Sequence, residues 1–403
     1  MSGLFGRAIF LHTGWRSGGT WVWSRLREQP GARGFYEPLH EQLERLRAGD
    51  IPSLRPGSWA SNHSETPPYF QEFLPLLRAG HAGVPRYRRR FAFDNFFLEP
   101  DASDPELEGY LGSLLAAPGA GQVSVLKFCR SLGRVGWMQR RFPDALHAVV
   151  LRDPISQFAS AEWLMTARRN RYFAIAPVLV LARNARHGLV AEAVAALDVR
   201  LPTLHSDDLS YGFEACWRHV RRLDAAGRYR LFLAFWAAAG VAALRSTALV
   251  VEPGRMNADA VYRGIMEAAF RAALPIAAQD CARPGPALSL LSEPAVASPR
   301  TEPPGVAEAH SDARAWISGL DQGSGFCAQP DRLATLLGCL GDREVLSRRR
   351  LAPARPEARS EPTRQTPVRR LATALQVLFA RVLQPVRRIH GRLVRHQTGR
   401  QIF

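Results

Sequence analysis

Apolar residues along the chain fall into short blocks, and the blocks alternate with helical periodicity. Ala8 to Leu11 forms an apolar run that leads into Gly14, Arg16, Ser17, Gly18, Gly19 and Thr20. An amphipathic segment follows, and a second apolar piece ends on Tyr36-Glu37-Pro38. This order predicts a strand, an anion-binding loop, a helix and a second strand. Further on, Val123 to Leu126 reads as a strand closed by Lys127. A helix is expected from about Leu132 to Arg141, a strand from Leu146 to Leu151, and a helix from Ile155 to Ala167. Strands and helices alternating at these intervals predict an α/β fold with a parallel sheet covered by helices.

Between these blocks lie two stretches of different character. Residues 41 to 120 carry Pro52, Pro56, Pro67, Pro68 and Pro75 and read as loops and short helices. Residues 168 to 245 are Ala-rich, with apolar positions three and four apart, and read as helical. A last core strand, Ala248 to Glu252, precedes a helix from about Asn257 to Ala272. The expected organisation is an α/β domain over 1–280 and a Pro-rich linker over 281–312. A small helical segment over 313–350 either stands alone or packs back on the core. Residues 351–403 hold a second Pro-rich break and a basic amphipathic helix. There Val368, Leu371, Leu375, Leu378 and Val382 keep helical spacing opposite arginines, until Pro385 kinks or ends the helix. Such a helix suits a peripheral contact with an anionic membrane or packing against the core or a second subunit.

Composition adds less than the pattern. The 403 residues are 46% hydrophobic and 9% aromatic, as in a globular protein. The formal net charge of +17 favours an anionic partner. However, Lys127 is the only lysine, so codon bias toward arginine accounts for part of the basicity. Five cysteines without a CxxC pair imply neither a disulfide framework nor a zinc site. No signal-peptide pattern opens the chain, and the apolar run from Leu231 to Leu244 is too short to span a membrane. A cytoplasmic location is therefore expected.

The chemistry concentrates in the loop from Gly14 to Thr20. Between a strand and a helix start, backbone N–H groups and the helix dipole converge on one point. Gly18 and Gly19 let an anion approach, Arg16 adds a fixed charge, and Ser17 and Thr20 add hydroxyls. In an ATP-hydrolysing P-loop, GxxxxGK[ST], a lysine and then a magnesium-binding hydroxyl follow the second glycine. With Gly14 and Gly19 as the two glycines, Thr20 and Trp21 fall at those positions. Magnesium-ATP chemistry is disfavoured.

The loop resembles the 5′-phosphosulfate loop of the sulfotransferases that use PAPS (3′-phosphoadenosine 5′-phosphosulfate). That family places Lys or Arg before Ser-Gly and a Thr shortly after, here Arg16, Ser17, Gly18 and Thr20. Trp21 matches an aromatic that stacks on adenine in part of the family, and Gly19 departs from the more usual Thr or Ser. A second block, Val149 to Pro154, ends a strand in Arg152 with Ser160 eight residues on. In the family these two grip the 3′-phosphate. Tyr36-Glu37-Pro38 is similar to a motif of carbohydrate-type members whose glutamate is a candidate base. Lys127 matches a strand-end lysine, but Cys129 stands where cytosolic members have a histidine base. The resemblance spans blocks within residues 7 to 270.

It implies a P-loop-like domain moving a sulfuryl group from PAPS to an acceptor hydroxyl, without a metal. Glu37 would take the acceptor proton, with His40 in reserve, and Glu37 is expected near the loop, facing the sulfonate. Lys127 or Arg130 would stabilise charge on the leaving oxygen. His12 is expected to be a core or loop-orienting residue, and Asp153 to cap the helix that follows it. The acceptor is a small molecule or a glycan, held by the two insertions. The alternatives are a divergent nucleotide kinase, a regulatory protein that binds nucleotide or polyanion without turnover, and a nucleic-acid binder driven by net charge. No nucleic-acid reading module is present to support the last.

Overall fold

In the computed structural model, the described residues are 8–55, 67–117, 119, 121–274, 303–320 and 330–341. All of them belong to one unit, Met1–Leu346; the segment Ser347–Phe403 lies outside them, and with it the basic amphipathic helix. Residues 281–302, most of the expected linker, also lie outside.

Five parallel strands form the centre. They are β1 (Ala8–Thr13), β2 (Ala32–Tyr36), β3 (Val123–Phe128), β4 (Leu146–Val150) and β5 (Leu249–Val251), in spatial order β2-β3-β1-β4-β5. Every residue of β1 and β3 is buried, as expected for parallel strands covered on both faces. The register pairs Leu11 with Lys127 on one side of β1 and with Ala148 on the other. The carboxyl ends of β1, β3 and β4 therefore finish side by side.

The helices are α1 (Gly19–Arg27), α2 (Arg90–Phe93), α3 (Pro105–Leu115), α4 (Val135–Arg141), α5 (Pro154–Ala167), α6 (Tyr172–Arg183), α7 (Gly188–Ala196), α8 (Leu209–Val220) and α9 (Ala225–Leu244). After β5 come α10 (Pro253–Ala258) and α11 (Ala260–Ala273), then α12 (Val306–Leu320) and α13 (Pro330–Cys339). Acidic caps set several of the starts. Asp104, Asp153, Asp208 and Asp224 each accept a backbone N–H from the first turn of α3, α5, α8 and α9. The expectation for Asp153 holds, with Ser156 N at 2.8 Å. Where one helix was expected from Asn257, there are two. Asp259 ends α10 in an extended conformation and its carboxylate caps Val261 and Tyr262, starting α11 anew.

Two apolar clusters result. One joins β1, β2 and β3 to α1, α3 and α11. The other gathers α5 to α9, α12 and α13. Strand β4 serves both: Val149 faces the helical cluster, while Ala148 and Val150 face the first. Helix α9 is apolar nearly all round and buried along most of its length, as befits the central helix of a bundle.

The small helical segment does not stand alone. Ala309, Ala313 and Ile317 of α12, with Leu336 of α13 and Leu340 just after it, are buried in the helical cluster. Gly240 of α9 is the seat for Leu336, whose Cδ1 lies 2.8 Å from where a Cβ would be. Helix α12 also begins at Val306, inside the expected linker. No helix of the described residues is long and apolar enough to cross a membrane.

The chain leaves β1 toward β2 but leaves β4 toward β5, on opposite sides of the β1–β4 pair. In open α/β sheets such a divergence opens a crevice at the carboxyl ends of the strands, where ligands bind.

Candidate functional site

The loop after β1 is built around its glycines. Thr13 ends the strand with its hydroxyl donated to Phe128 O at 2.8 Å, which fixes its methyl group under the helix start. A Cβ on Gly19 would lie 2.2 Å from Thr13 Cγ2. That contact explains why glycine stands at 19, where the resemblance leads one to expect Thr or Ser. Arg16 and Gly18 both have positive φ, 66° and 93°. Between them Ser17 N donates back to Gly14 O at 3.3 Å, which closes the turn and leaves the helix-start amides that follow to meet a ligand. Ser17 does not face outward: its hydroxyl donates to Gly14 O at 2.9 Å and it is buried. Its role is to hold the loop. The amides of Gly18, Gly19 and Thr20, at the start of α1, have no carbonyl of their own helix to donate to.

Arg152 and Ser160 converge on this loop from the far side of the crevice. Arg152 Nη1 donates to Arg16 O at 2.9 Å, and Arg16 Nε donates to Ser160 Oγ at 3.0 Å. The three residues are up to 144 positions apart in sequence. Trp236 Nε1 donates to Arg152 O at 3.0 Å, and Gln157 Nε2 donates to Trp15 O at 2.7 Å. The backbones of both arginine-bearing turns are therefore held from α5 and α9. Burial, then the charge of Arg152, lowers the pKa of Arg16. Two guanidinium groups this close repel, and an anion between them relieves the repulsion.

A second group of charges lies beneath the loop. Glu37, left-handed at φ 46°, follows β2. Its Oε1 accepts from Lys127 Nζ, and its Oε2 accepts from Cys129 N at 2.9 Å and Arg130 Nη1 at 3.0 Å. Lys127 also reaches Cys129 Sγ at 3.0 Å and lies over the Tyr36 ring. The side chains of Glu37, Lys127 and Arg130 are 4%, 2% and 1% exposed, so the ion pairs are buried. Burial alone raises the Glu37 pKa, but Lys127, Arg130 and the hydrogen bonds outweigh it and hold the carboxyl at about 2. Burial likewise opposes the charge on Lys127, yet its surroundings raise its pKa. At neutral pH the effective partner is Glu37, because burial pushes the Cys129 thiol up to about 11.

This geometry corrects one expectation. Glu37 is expected to face the sulfonate at the edge where β1 and β2 end, but β3 lies between those strands and the carboxylate turns inward onto Lys127 and Arg130. Both of its oxygens are engaged. His40 fares no better as a base in this arrangement. Its Nδ1 accepts from Gln42 N at 3.2 Å, and burial holds its pKa down to about 4. Thr20 spends a side-chain hydrogen bond on Tyr36. Trp21 is half-buried against the cluster around β1 to β3.

Several participants carry no recognisable sequence signal. Tyr172, at the start of α6, donates to Glu41 Oε1 at 3.0 Å and also receives a hydrogen bond from Arg130. Arg130 in turn pairs with Glu41 at 2.7 Å and lies over the rings of Trp15, Phe93 and Tyr172. Phe173 stacks under Arg16, 5.3 Å from its guanidinium carbon. Below, a chain of neutral groups runs through His12. His147 Nε2 faces Phe142 O at 3.1 Å, which can only accept, so His147 Nδ1 must accept from His12 Nε2 at 3.0 Å. His12 Nδ1 then accepts from the Ser131 hydroxyl at 2.8 Å. His12 is thus a buried residue that ties the turn after Arg130 to β1 and β4, as expected.

No family model, curated protein or solved structure matches the chain.

Proposed function

We propose that the protein transfers a sulfuryl group from PAPS to an acceptor hydroxyl through a P-loop-like site. The observation that carries this reading is the convergence of Arg152 and Ser160 on Arg16, at the crevice where β1 and β4 diverge. Two guanidiniums, a serine hydroxyl and a helix start suit a ligand with two separate anionic groups. In this reading the loop amides and Arg16 hold the 5′-phosphosulfate, and Arg152 and Ser160 hold the 3′-phosphate. Trp21 is the candidate for adenine. The sulfur–oxygen bond to the donor phosphate breaks as the bond to the acceptor oxygen forms, and the acceptor loses its proton.

Glu37 takes that proton only if its pairing changes. Lys127 is the cation to move: shifting from Glu37 toward the donor's bridging oxygen, it would stabilise the leaving phosphate and free one carboxylate oxygen. Its departure also removes one of the two charges that depress the Glu37 pKa, so basicity rises when the donor is bound. Thr20 and Trp21 stand where magnesium-ATP chemistry requires a lysine and a hydroxyl. Titrating the full chain with PAP (the desulfated donor) and with ATP, with and without magnesium, separates the readings by thermal shift. PAP should stabilise without magnesium, and Arg152→Ala should weaken PAP binding at least tenfold, as expected for losing a charged hydrogen-bond partner worth roughly 1.5–3 kcal/mol. Near-wild-type PAP affinity in that variant removes the 3′-phosphate assignment.

A second reading is favoured by one observation. A buried Glu37 with both oxygens engaged suits a protein that binds the nucleotide without turnover. Tight PAP binding with no transfer to any hydroxyl acceptor supports that reading.

A further inference from the structure

Arg130 holds two carboxylates, and they differ. Glu37, on Nη1, has a side chain only 4% exposed and also accepts from Lys127 and the Cys129 amide. Glu41, on Nη2 at 2.7 Å, has a side chain 17% exposed. Burial raises the Glu41 pKa, but Arg130 and the hydrogen bonds around it bring it below the ordinary carboxylate value, so it is ionised at neutral pH. Its other oxygen accepts from the Tyr172 hydroxyl at 3.0 Å. His40 Nδ1, 3.4 Å away, accepts from Gln42 N and so has no proton to give it.

Tyr172 opens α6. Its hydroxyl gives its one proton to Glu41 and accepts from Arg130, which leaves a lone pair on the phenol oxygen for a further donor. The ring is stacked on His40 and packed against Phe213, so the hydroxyl has a fixed place. Burial, before any charge, pushes the phenol well above its ordinary pKa and keeps it neutral. The position borders the candidate site. Phe173, the next residue, lies 5.3 Å from the Arg16 guanidinium carbon, and Arg130 lies over the ring of Trp15, the residue before Arg16. The half-buried Tyr172 therefore sits where the turns after β1, β2 and β3 meet, beside the loop that would hold the donor.

We propose that Tyr172 and Glu41 form the path by which the acceptor hydroxyl loses its proton. The inference rests on the sulfuryl-transfer reading and differs from it only in where the proton goes. The acceptor O–H donates to the open lone pair of Tyr172. The acceptor oxygen bonds to sulfur while the bond from sulfur to the donor's phosphate oxygen breaks, and its electron pair leaves with PAP. In the same step the acceptor proton passes to the Tyr172 oxygen, and the phenol's own proton passes to Glu41. The phenol is neutral before and after, so its high pKa is no obstacle. Arg130, bonded to both groups, fixes their relative positions. Glu37 can act only after Lys127 has left it, whereas this path breaks no ion pair.

The test uses the full chain. Transfer from radiolabelled PAPS is measured with glycerol, glucose, N-acetylglucosamine, tyramine and water as acceptors, and the fastest of them is used for the variants. Tyr172→Phe, which keeps the ring on His40, and Glu41→Gln should each lower kcat at least roughly a hundredfold, with PAP affinity by calorimetry unchanged. Combined, they should lower it no further than the worse single variant, since each removes the same path. In the wild type, kcat should fall along a curve as deuterium replaces hydrogen in the solvent, because two protons move together; in Tyr172→Phe the fall should be linear. A purely structural loss would lower the rate without straightening that dependence. The proposal is overturned if Tyr172→Phe keeps the wild-type kcat, if the wild-type dependence on deuterium is already linear, or if Glu41→Gln transfers normally while Glu37→Gln does not. Should Glu41→Gln fail to fold, Tyr172→Phe and the deuterium dependence still decide. No transfer by the wild type to any of these acceptors refutes the sulfuryl-transfer reading and the path with it; wild-type transfer with an unaffected Tyr172→Phe refutes the path alone.

Discussion

Replacing Glu37 by glutamine keeps the side chain's size and removes its charge. The consequence follows from where the partners lie. Lys127 and Arg130 are almost fully buried, and Arg130 retains Glu41, but Lys127 loses its only ion-pair partner among the described residues. Removing one member of a buried pair typically costs about 3–5 kcal/mol, because the other charge stays behind uncompensated. Linkage gives a similar figure. A carboxyl depressed from 4.5 to about 2 contributes roughly 3 kcal/mol at neutral pH. For a domain of this size that corresponds to a fall in melting temperature of roughly 5–8 °C. The sign with pH follows from the depressed pKa. The contribution is fully present above the unfolded value, near 4.5, and is lost as pH falls toward about 2. Glu37→Gln should therefore be measured by urea unfolding and by PAP calorimetry as well as by turnover. If stability is unchanged and only turnover is lost, Glu37 is not the counter-ion of Lys127 and the buried pairing is wrong. The combined Glu37→Gln, Lys127→Met variant sharpens the test: neutralising both partners should recover part of the lost stability, and strictly additive losses would contradict the pairing.

Three further outcomes are expected. Gly19→Ala should destabilise by about 1–3 kcal/mol through the clash with Thr13 and weaken PAP binding; a variant with wild-type midpoint and affinity would remove the steric account. The buried histidines set a different pH window from Glu37. Burial holds His12 well below 6.5 and His147 at about 4, so their contribution is present above the unfolded value near 6.5 and is lost as pH falls from there to about 4. Urea midpoints should decline across that interval, and His147→Gln should flatten the decline; an unchanged slope in that variant refutes the neutral chain. Finally, ending the chain at residue 302 removes α12 and α13 from the helical cluster, so the product should fail to fold cooperatively. A soluble 1–302 protein with the original midpoint would show that the two helices are dispensable.

The strands were legible because each is a compact apolar block bounded by glycine, proline or charge, and a strand buried on both faces needs little else. The meeting of Arg152 and Ser160 with Arg16 was legible for another reason. Each residue sits at a strand end or one helix turn beyond, where a parallel sheet places it on the binding edge. Three features could not be read this way. The insertion of β3 between β1 and β2 is a matter of strand order, which the linear pattern does not encode, and it turns Glu37 inward. The burial of α12 depends on Gly240 making room for Leu336 nearly one hundred residues on, a packing fit without local signature. Tyr172 belongs to a helical repeat like any other, and only tertiary contact brings its hydroxyl to Glu41 and Arg130.

These findings bear on how the two charge groups would work together. In the upper group, linked by direct hydrogen bonds, Arg16 and Arg152 are half-buried and Ser160 is buried beneath them. In the lower group Lys127, Glu37 and Arg130 are buried, and Glu41 and Tyr172 close it as half-buried partners of Arg130. Cys129 and Thr13 join them: the thiol contacts Lys127 Nζ at 3.0 Å and Thr13 Oγ1 at 3.3 Å, directly under the loop. Under the proposed function, a dianionic ligand bound at the upper group would add negative charge above Lys127 and Glu37, and that charge would raise the Glu37 pKa and loosen its pairing with Lys127. The acceptor proton would then be taken only with the donor in place, and idle hydrolysis of the donor would be suppressed. Measuring the Glu37 carboxyl pKa by carbon NMR, with and without PAP, decides the point: an upward shift on binding is required, and an unchanged value leaves Glu37 a structural counter-ion.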